Sequence, residues 1–243
     1  MNDTVVYTRV TRVRPDGGTE EAETCLLSEH ELEICADGET LAKLVCTACD
    51  LRELAAGWLF SAGILRSAEE IESIALEKDG GKISFALKKP DAGKDRGAEK
   101  QGRNRRDDRS GAPSGLTSFT SETVFSLAEA FREETALHAA SQGTHSCMLL
   151  RDGEIVYRSE DIGRHNAVDK VIGAALLREI PPEECVLFTS GRVPKDMVQK
   201  VVRAGIPVLA AKSVTTAEAV EYARKKGLIL IWRAWPDQHE TGL

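Results

Sequence analysis

The sequence predicts an α/β protein whose N-terminal part is α+β and whose last third forms a mixed, largely parallel sheet. Between residues 185 and 232, short apolar runs alternate with amphipathic helical patterns. This order is typical of βαβ units, in which successive strands lie parallel. The first 45 residues differ, because they contain several strand-like runs separated by turn residues.

Composition limits both the size of the protein and its environment. A chain of 243 residues with 42% hydrophobic residues can bury a substantial core as one large domain or two small ones. The net charge of -7 argues against general nucleic-acid binding, which needs a basic face. No apolar run is long enough to span a membrane, and the first residues lack a signal-peptide pattern. We therefore expect a cytoplasmic protein.

The N-terminal part alternates strands with one long helix. Strands are expected at residues 4–13, 24–27, 31–36 and 41–45, with an Asp-Gly hairpin turn at residues 37–38. Asp50 and Glu53 resemble a capping box for a helix that carries an apolar stripe, and Gly63 suits the position after its end. A short helix start over residues 68–74 and a strand from residue 82 to 88 follow.

A charged segment divides the chain. From residue 89 to 118, glycine, proline and charged residues dominate, and basic residues outnumber acidic ones. Such a segment buries little apolar surface, so we predict a flexible linker or loop. It is either a solvated loop or a tether for nucleic acid or another anion. The domains are then an N-terminal β-rich part over 1–88, this linker, an α/β domain over 119–235 and a tail over 236–243.

The elements after the linker follow from periodicity and from turn residues. Helices are predicted over residues 120–139 and 193–204, and a third runs to residue 226 from a capping box at Thr215 and Glu218. Gly205 and Gly227 end the last two helices. The predicted strands cover residues 143–150, 155–157, 185–189, 206–211 and 228–232, and a hairpin turn occupies residues 151–154.

One stretch, residues 159–173 with the sequence SEDIGRHNAVDKVIG, combines a turn, polar side chains and an amphipathic helix. Arg164, His165 and Asn166 follow Gly163, and Asn166 is a plausible N-cap. A cation and an imidazole at a helix N-terminus favour an anionic ligand such as phosphate. The alternative is a well-capped helix without a ligand.

Further polar residues follow the predicted parallel strands. Ligands of such sheets bind at the carboxyl ends of the strands. Ser190 and Arg192 follow one strand, Lys212 and Ser213 follow the next, and the stretch from Gly143 to His145 precedes another. Together with Arg164 and its neighbours, these residues predict a pocket for a phosphorylated or highly polar ligand.

The six cysteines are expected to be reduced thiols. Only Cys46 and Cys49 form a C-x-x-C pair, and no second pair completes a structural zinc site. Cys49 lies just before a predicted helix N-terminus, which favours a thiolate. The alternative is that both cysteines are packing residues. The spacing of His145, Cys147 and His165 matches no zinc pattern, so no metal of its own is expected.

Several stretches together resemble the formate dehydrogenase accessory family of the FdhD/NarQ type. They are GTH at 143–145, EDIGRHNAVDKVIG at 160–173, SGR at 190–192 and QKVVRAGIPVLAA at 199–211. The segment from LEICADGETLA through the helix LRELAAGWLFSAGIL also fits this family. The resemblance covers most of residues 24–231.

The resemblance implies a fold, a substrate and partners. The fold would be similar to cytidine deaminases, with three α/β/α layers and no deaminase zinc site. The activity would be sulfur transfer from a cysteine desulfurase to the molybdenum bis(molybdopterin guanine dinucleotide) cofactor, before its insertion into the catalytic subunit of formate dehydrogenase. A homodimer is implied. The cofactor-binding residues would be Gly143, Thr144, His145, Asp161, Arg164, His165, Asn166, Ser190, Arg192, Lys212 and Ser213.

The sequence departs from the family where the sulfur is carried. The family places a C-x-x-C loop in the interval that is here the charged linker, and residues 89–118 contain no cysteine. The C-terminal segment is also altered, with Arg233 as its one arginine. Three hypotheses follow: a sulfur carrier that uses Cys49 or Cys46, a protein that binds and delivers the cofactor without carrying sulfur, or a nucleotide-binding regulatory module.

Overall fold

The computed structural model describes residues 4–88, 125–126, 128–129 and 135–241. The predicted linker over 89–118 and most of the predicted helix over 120–139 lie outside these residues. The strands among these residues are β1 Val5–Val13, β2 Thr19–Leu27, β3 His30–Ala36, β4 Glu39–Cys46, β5 Ile71–Leu76, β6 Lys82–Leu87, β7 His145–Arg151, β8 Glu154–Asp161, β9 Cys185–Thr189, β10 Val208–Ala211, β11 Ile229–Trp232 and β12 Glu240–Thr241. The α-helices in the described part are α1 Leu51–Ser61, α2 Ala136–Ser141, α3 Arg164–Leu177, α4 Lys195–Ala204 and α5 Ala217–Lys226.

The N-terminal strands form two sheets. β1 and β2 pair as an antiparallel ribbon. The other four strands form a sheet in the order β4-β3-β6-β5, in which only β3 and β6 are parallel. The predicted Asp-Gly turn joins β3 to β4, and both Asp37 and Gly38 have positive φ. This conformation suits a two-residue hairpin whose twist matches its strands.

The C-terminal strands form a six-stranded sheet in the order β12-β11-β10-β9-β7-β8. Strands β9, β10 and β11 are parallel, as the βαβ pattern predicted. The prediction of a largely parallel sheet is wrong, because β7, β8 and β12 all pair antiparallel. The connections explain the difference. A short turn joins β7 to β8 as an antiparallel hairpin, whereas strands that lie parallel need a longer crossover connection, usually a helix. The predicted tail also contains β12.

This sheet is buried on both faces, as expected for parallel strands. Leu149, Leu187 and Leu209 face the cluster formed with helices α3, α4 and α5. Their neighbours along the strands face the opposite cluster, which includes Phe188 and Ala128. At about 25 cal/mol per Å² of apolar surface removed from water, these two clusters and a third under the four-stranded sheet supply the main driving force for folding.

Two glycines allow a helix of the N-terminal part to pack closely against a helix of the C-terminal part. Helix α1 crosses α3 so closely that a Cβ added at Gly57 would lie 1.8 Å from the carbonyl oxygen of Asp169. A Cβ at Gly173 would lie 1.9 Å from the carbonyl oxygen of Glu53. Only a residue without a side chain allows this backbone approach. The predicted domains over 1–88 and 119–235 therefore meet through helices in backbone contact.

Several predicted helix ends differ in the structure. Asp50 is the N-cap of α1, but its φ is 52° and its side chain makes no cap bond, so the capping box is wrong. Its carboxylate instead accepts a 2.5 Å hydrogen bond from the Ser159 hydroxyl. Helix α3 has Gly163 as its N-cap, not Asn166. In α5 the capping oxygen belongs to Thr216 instead of Thr215. Each difference reflects a tertiary contact or a one-residue shift.

Two predicted helical stretches are also corrected. Residues 68–74 contain one 3₁₀ turn, Ala68–Glu70, and then enter β5, where pairing with β6 outweighs the local helical pattern. A continuous helix over 120–139 is excluded, because Thr135 is extended and caps α2. The Glu160 carboxylate accepts hydrogen bonds from the Thr135 hydroxyl and from the His138 amide, and so fixes this break.

Other helix ends agree with the sequence. Gly63, Gly205 and Gly227 all adopt positive φ at or just beyond the C-termini of their helices, as predicted. No helix among the described residues is long and apolar enough to cross a membrane.

The glycine crossing predicts a large loss of stability on adding one methyl group. Gly57→Ala should lower the free energy of unfolding by about 3 kcal/mol, because the new Cβ would overlap the α3 backbone and force the helices apart. Urea denaturation measures this loss. Gly81→Ala is the control, since its Cβ would find its nearest atom at 3.6 Å, and it should change stability by about 0.5 kcal/mol. Equal losses in the two variants would contradict the close crossing.

Candidate functional site

Polar side chains gather at the carboxyl edge of the parallel strands, as the sequence predicted. Ser190 and Arg192 follow β9, and Lys212 follows β10, with its amide bonded to the Thr189 carbonyl at 2.9 Å. Strand β7 is antiparallel to β9, so its first residue, His145, reaches the same edge. The Ser190 hydroxyl accepts a 3.0 Å hydrogen bond from the Ser146 amide and lies 3.5 Å from His145 Nδ1. These contacts hold the loop after β9 against β7.

Helix α3 delivers a guanidinium to this edge. Arg164 is the first residue of α3, and its Cβ lies against Gly191, where an added Cβ would be 2.9 Å away. Nε of Arg164 is buried and has no hydrogen-bond partner among the described residues. Buried donors nearly always find a partner, so this unpaired donor is a candidate contact for a ligand. An anionic oxygen is the acceptor that a guanidinium prefers.

The histidines at this edge favour the neutral form. Burial lowers the pKa of His145, and electrostatic interactions with Arg164, His138 and Arg192 lower it further, against the opposing effect of Asp161. Burial also lowers the pKa of His165, although Asp196, whose carboxylate is 3.7 Å from Nε2, opposes this effect. A neutral imidazole among cations can donate or accept a hydrogen bond without adding charge.

A cavity of about 470 Å³ lies beside Lys212. Phe188 and Trp235 contribute aromatic surface to it, and the Lys212 ammonium lies 5.7 Å from the centre of the Trp235 ring. An aromatic wall beside a cation suits a planar ring that carries an anionic group. Lys212 thus lies both at the polar edge and on the wall of this cavity.

A buried ion pair lies behind this edge. The ammonium of Lys170 is 2.8 Å from the Asp161 carboxylate, and both side chains are fully buried. The same ammonium donates to the Thr47 hydroxyl at 2.7 Å and to the Glu160 carbonyl at 2.8 Å. Asp161 also accepts from the amides of Thr47 and Gly163. The cluster therefore joins the loop before α1 to the end of β8 and to α3.

The two cysteines of the C-x-x-C pair differ in environment. Cys46 is fully buried, and burial raises its pKa to about 12. Cys49 is partly exposed, and its Sγ lies 3.5 Å from the Lys170 ammonium and 3.3 Å from the Thr47 hydroxyl. Of the two predicted thiols, only Cys49 combines access with a neighbouring cation.

Four predicted site residues contact other residues of the protein instead of pointing to the polar edge as free groups. The Thr144 hydroxyl donates to Glu160 at 2.9 Å, and Asp161 belongs to the buried ion pair. Gly143 packs on Leu27, and the Asn166 amide donates to the Val45 carbonyl at 2.8 Å. These residues support the site. The remaining predicted residues of the polar edge are His145, Arg164, His165, Ser190, Arg192, Lys212 and Ser213.

Sequence reasoning missed Lys170 and the cavity wall. Apolar periodicity in α3 predicts one buried stripe, but residues 167–175 are all buried. One signal in the sequence could have indicated Lys170. It lies between the apolar pairs 167–168 and 171–172, in the helix that begins at Arg164. Nothing in the sequence places Trp235 beside Lys212, because the two residues meet only in the folded chain.

No group of three or more metal-ligating side chains occurs in the part of the chain that the structure describes. The fold and the edge residues define an α/β protein with a cluster of cationic and polar side chains at the carboxyl ends of its parallel strands. The family model that matches is the FdhD/NarQ family, over residues 27–241. The chain belongs to this family.

Curated relatives agree with this assignment. The chain is 32% identical over 231 residues to the sulfur carrier protein FdhD of Sulfurisphaera tokodaii, and the match covers 88% of each chain. It is 34% identical over 201 residues to the protein of that name from Saccharolobus solfataricus, covering 79% of this chain and 77% of the relative.

A solved structure shares the fold. The crystal structure of a formate dehydrogenase accessory protein from Desulfotalea psychrophila matches with a TM-score of 0.81, at 24% sequence identity, over 98% of this chain and 96% of that chain. This match confirms the α/β fold with mixed sheets. The expected likeness to cytidine deaminases remains a prediction.

The His145 environment predicts a pH effect with a definite sign. Its midpoint, followed by NMR of the imidazole, should lie below the ordinary value of 6.5. As the pH falls, the unfolded chain takes up this proton near pH 6.5, before the folded chain does. The stability that neutral His145 contributes is therefore complete above about pH 6.5 and is lost as the pH falls through the lower midpoint of the folded protein. Arg164→Gln should raise the midpoint by removing a nearby positive charge. A midpoint at or above 6.5 in the unaltered protein would contradict the proposed burial.

Proposed function

We propose that this chain is a formate dehydrogenase accessory protein that acts on the molybdenum bis(molybdopterin guanine dinucleotide) cofactor as a sulfur carrier. In this proposal the cofactor is the substrate and a cysteine desulfurase is the sulfur donor. The catalytic subunit of formate dehydrogenase receives the product, and the accessory protein works as a homodimer. Membership of the FdhD/NarQ family and the names of the curated relatives support this function.

The observation that carries cofactor binding is the buried, unpaired Nε of Arg164 at the cationic edge. The dinucleotide cofactor carries phosphate groups, and a phosphate oxygen would supply the acceptor that this donor lacks. Arg192 and Lys212 add positive charge at the same edge, and Ser190 adds a hydroxyl. The cavity beside Trp235 suits the planar guanine ring, because it combines aromatic surface with a cation.

GDP provides a direct test, because it contains the guanine and phosphate parts of the substrate. The protein should bind GDP in isothermal titration calorimetry. Arg164→Gln should weaken binding by about tenfold or more, since a hydrogen bond from a charged donor contributes about 1.5–3 kcal/mol. Arg52→Gln is the control, because Arg52 is exposed on α1 and, among the described residues, makes no hydrogen bond or ion pair with a residue of this edge. Unchanged affinity in Arg164→Gln would contradict the assigned phosphate contact.

An alternative function is binding and delivery of the cofactor without sulfur transfer. The absence of cysteine from residues 89–118 favours this alternative, because the family resemblance places the carrier cysteines there. A nucleotide-binding regulatory module is a further alternative.

Maturation of formate dehydrogenase separates the regulatory module from both cofactor-handling functions. The catalytic subunit, produced in cells that lack this chain, should be inactive and should gain activity when the chain is restored. Arg164→Gln should restore less activity than the control Arg52→Gln, because weaker cofactor binding limits delivery. Full activity without the chain would contradict the accessory function.

A further inference from the structure

We propose that Cys49 is the thiol that accepts sulfur in this chain, and that the buried ammonium of Lys170 holds the resulting sulfur anion in place. This inference rests on the proposed sulfur-carrier function and names the residue that performs it. It also locates the chemistry at the junction of β4 and α1 instead of in the segment over 89–118.

Burial distinguishes Cys49 from most of the other thiols. Cys35, Cys46, Cys147 and Cys185 are all buried, and burial raises the pKa of Cys185 to about 11. A thiol must reach its partner and ionise in order to react, so buried thiols of high pKa are inert. Cys25 and Cys49 are the partly exposed thiols.

Surroundings distinguish Cys49 from Cys25. Cys25 lies within the β1–β2 ribbon opposite Tyr7. Among the described residues, no charged group is hydrogen-bonded to its sulfur. The Cys49 sulfur has an ammonium at 3.5 Å and a hydroxyl at 3.3 Å, and its thiol donates to the Glu160 carbonyl at 3.8 Å. Cys49 therefore belongs to a built cluster of polar groups.

The ammonium in this cluster is rigidly held. Lys170 is fully buried, and its three N–H donors are matched by oxygens of Thr47, Glu160 and Asp161 at 2.7–2.8 Å. The Cys49 sulfur is a fourth neighbour at longer range. Asp161 balances the charge of Lys170, so the ion pair needs no further anion to be stable.

Charge on the sulfur changes this balance. A sulfur anion on Cys49 lies within direct Coulomb range of the ammonium in a partly dehydrated site, where such attraction is stronger than in water. The Thr47 hydroxyl can rotate to donate to the anion, since a hydroxyl carries one mobile donor. The cluster thus offers a charge and a donor to the anion without moving the backbone.

The step itself is a sulfur transfer between thiols. The Cys49 thiolate attacks the outer sulfur of a persulfide, R–S–SH, on a partner protein. A sulfur–sulfur bond forms to Cys49 and the sulfur–sulfur bond of the donor breaks. The electron pair leaves on the donor thiolate, which takes the proton that Cys49 released. The products are the Cys49 persulfide and R–SH, and no external oxidant or reductant is needed.

The test is intact-protein mass after incubation of the full chain with a cysteine desulfurase and cysteine. The unaltered chain should gain one sulfur atom, and dithiothreitol should remove it. Cys49→Ser should lose this gain, whereas Cys25→Ser, the matched variant at the other partly exposed thiol, should keep it. Calorimetry with GDP on each variant checks that the edge site remains folded.

The outcomes separate this inference from the proposed function. A gain that persists in Cys49→Ser overturns the assignment of Cys49 and leaves the sulfur-carrier function standing. No gain in the unaltered chain, with GDP still bound, overturns both and leaves cofactor delivery.

Lys170 needs its own readout, because its loss also removes the partner of Asp161. Lys170→Met should slow sulfur uptake about tenfold, through loss of the cation that stabilises the sulfur anion. Lys170→Arg should restore part of the rate, which a purely structural defect would not predict. If Lys170→Met does not fold, Thr47→Val removes the hydroxyl that would donate to the anion and that accepts from Lys170, and it should slow uptake severalfold. An unchanged rate in the folded variants overturns the role of this cluster.

Discussion

The buried ion pair between Lys170 and Asp161 connects the parts of this protein on which its proposed function depends. Its two charges are fully buried and would be costly to desolvate alone. Their cost is offset because Thr47, Gly163 and the Glu160 carbonyl complete their hydrogen bonds. Removing one member of such a pair typically costs about 3–5 kcal/mol, since the other charge is left unpaired. The pair therefore holds the loop before α1 in a fixed position against β8 and α3.

The glycine crossing makes this arrangement possible. Gly57 and Gly173 allow α1 to lie against the backbone of α3, which packs the N-terminal part of the chain against the C-terminal part. Asp169, beside this crossing, is buried and bonded to Ser61 on α1 and Lys200 on α4. Backbone contact and buried polar bonds thus occur along the same face of α3. This face is unusually polar for an interior surface, and each of its charges has a partner.

The cluster around Cys49 and the polar edge that contains Arg164 are close to each other along the chain. Asp161 ends β8, and the cationic Arg164 begins α3 three residues later. One turn therefore connects the cluster around Cys49 to the edge that would bind phosphate. In this arrangement the position of the ligand and that of the thiol depend on the same buried hydrogen bonds. A change at Lys170 is expected to affect both.

The sequence by itself determined the features that depend on neighbouring residues. Strand β9, the Asp-Gly turn at Asp37 and the helix ends at Gly205 and Gly227 follow from local apolar runs and from residues that adopt positive φ. The polar edge also followed, because the βαβ order places the residues after β9 and β10 together. Local patterns carry this information because each involves only a few consecutive residues.

Only the tertiary structure decided the environment of Cys49 and Lys170. Thr47 and Asp161 bond across 114 residues of sequence, and no local pattern specifies such a contact. Periodicity predicted one apolar stripe on α3, yet α1 packs against a second face at Gly173, and Thr47, Glu160 and Asp161 surround the Lys170 ammonium. The Asp50 side chain likewise bonds to Ser159, which is distant in sequence, instead of capping α1. The strand order and the close approach of two glycines set these environments, because they determine which distant side chains meet.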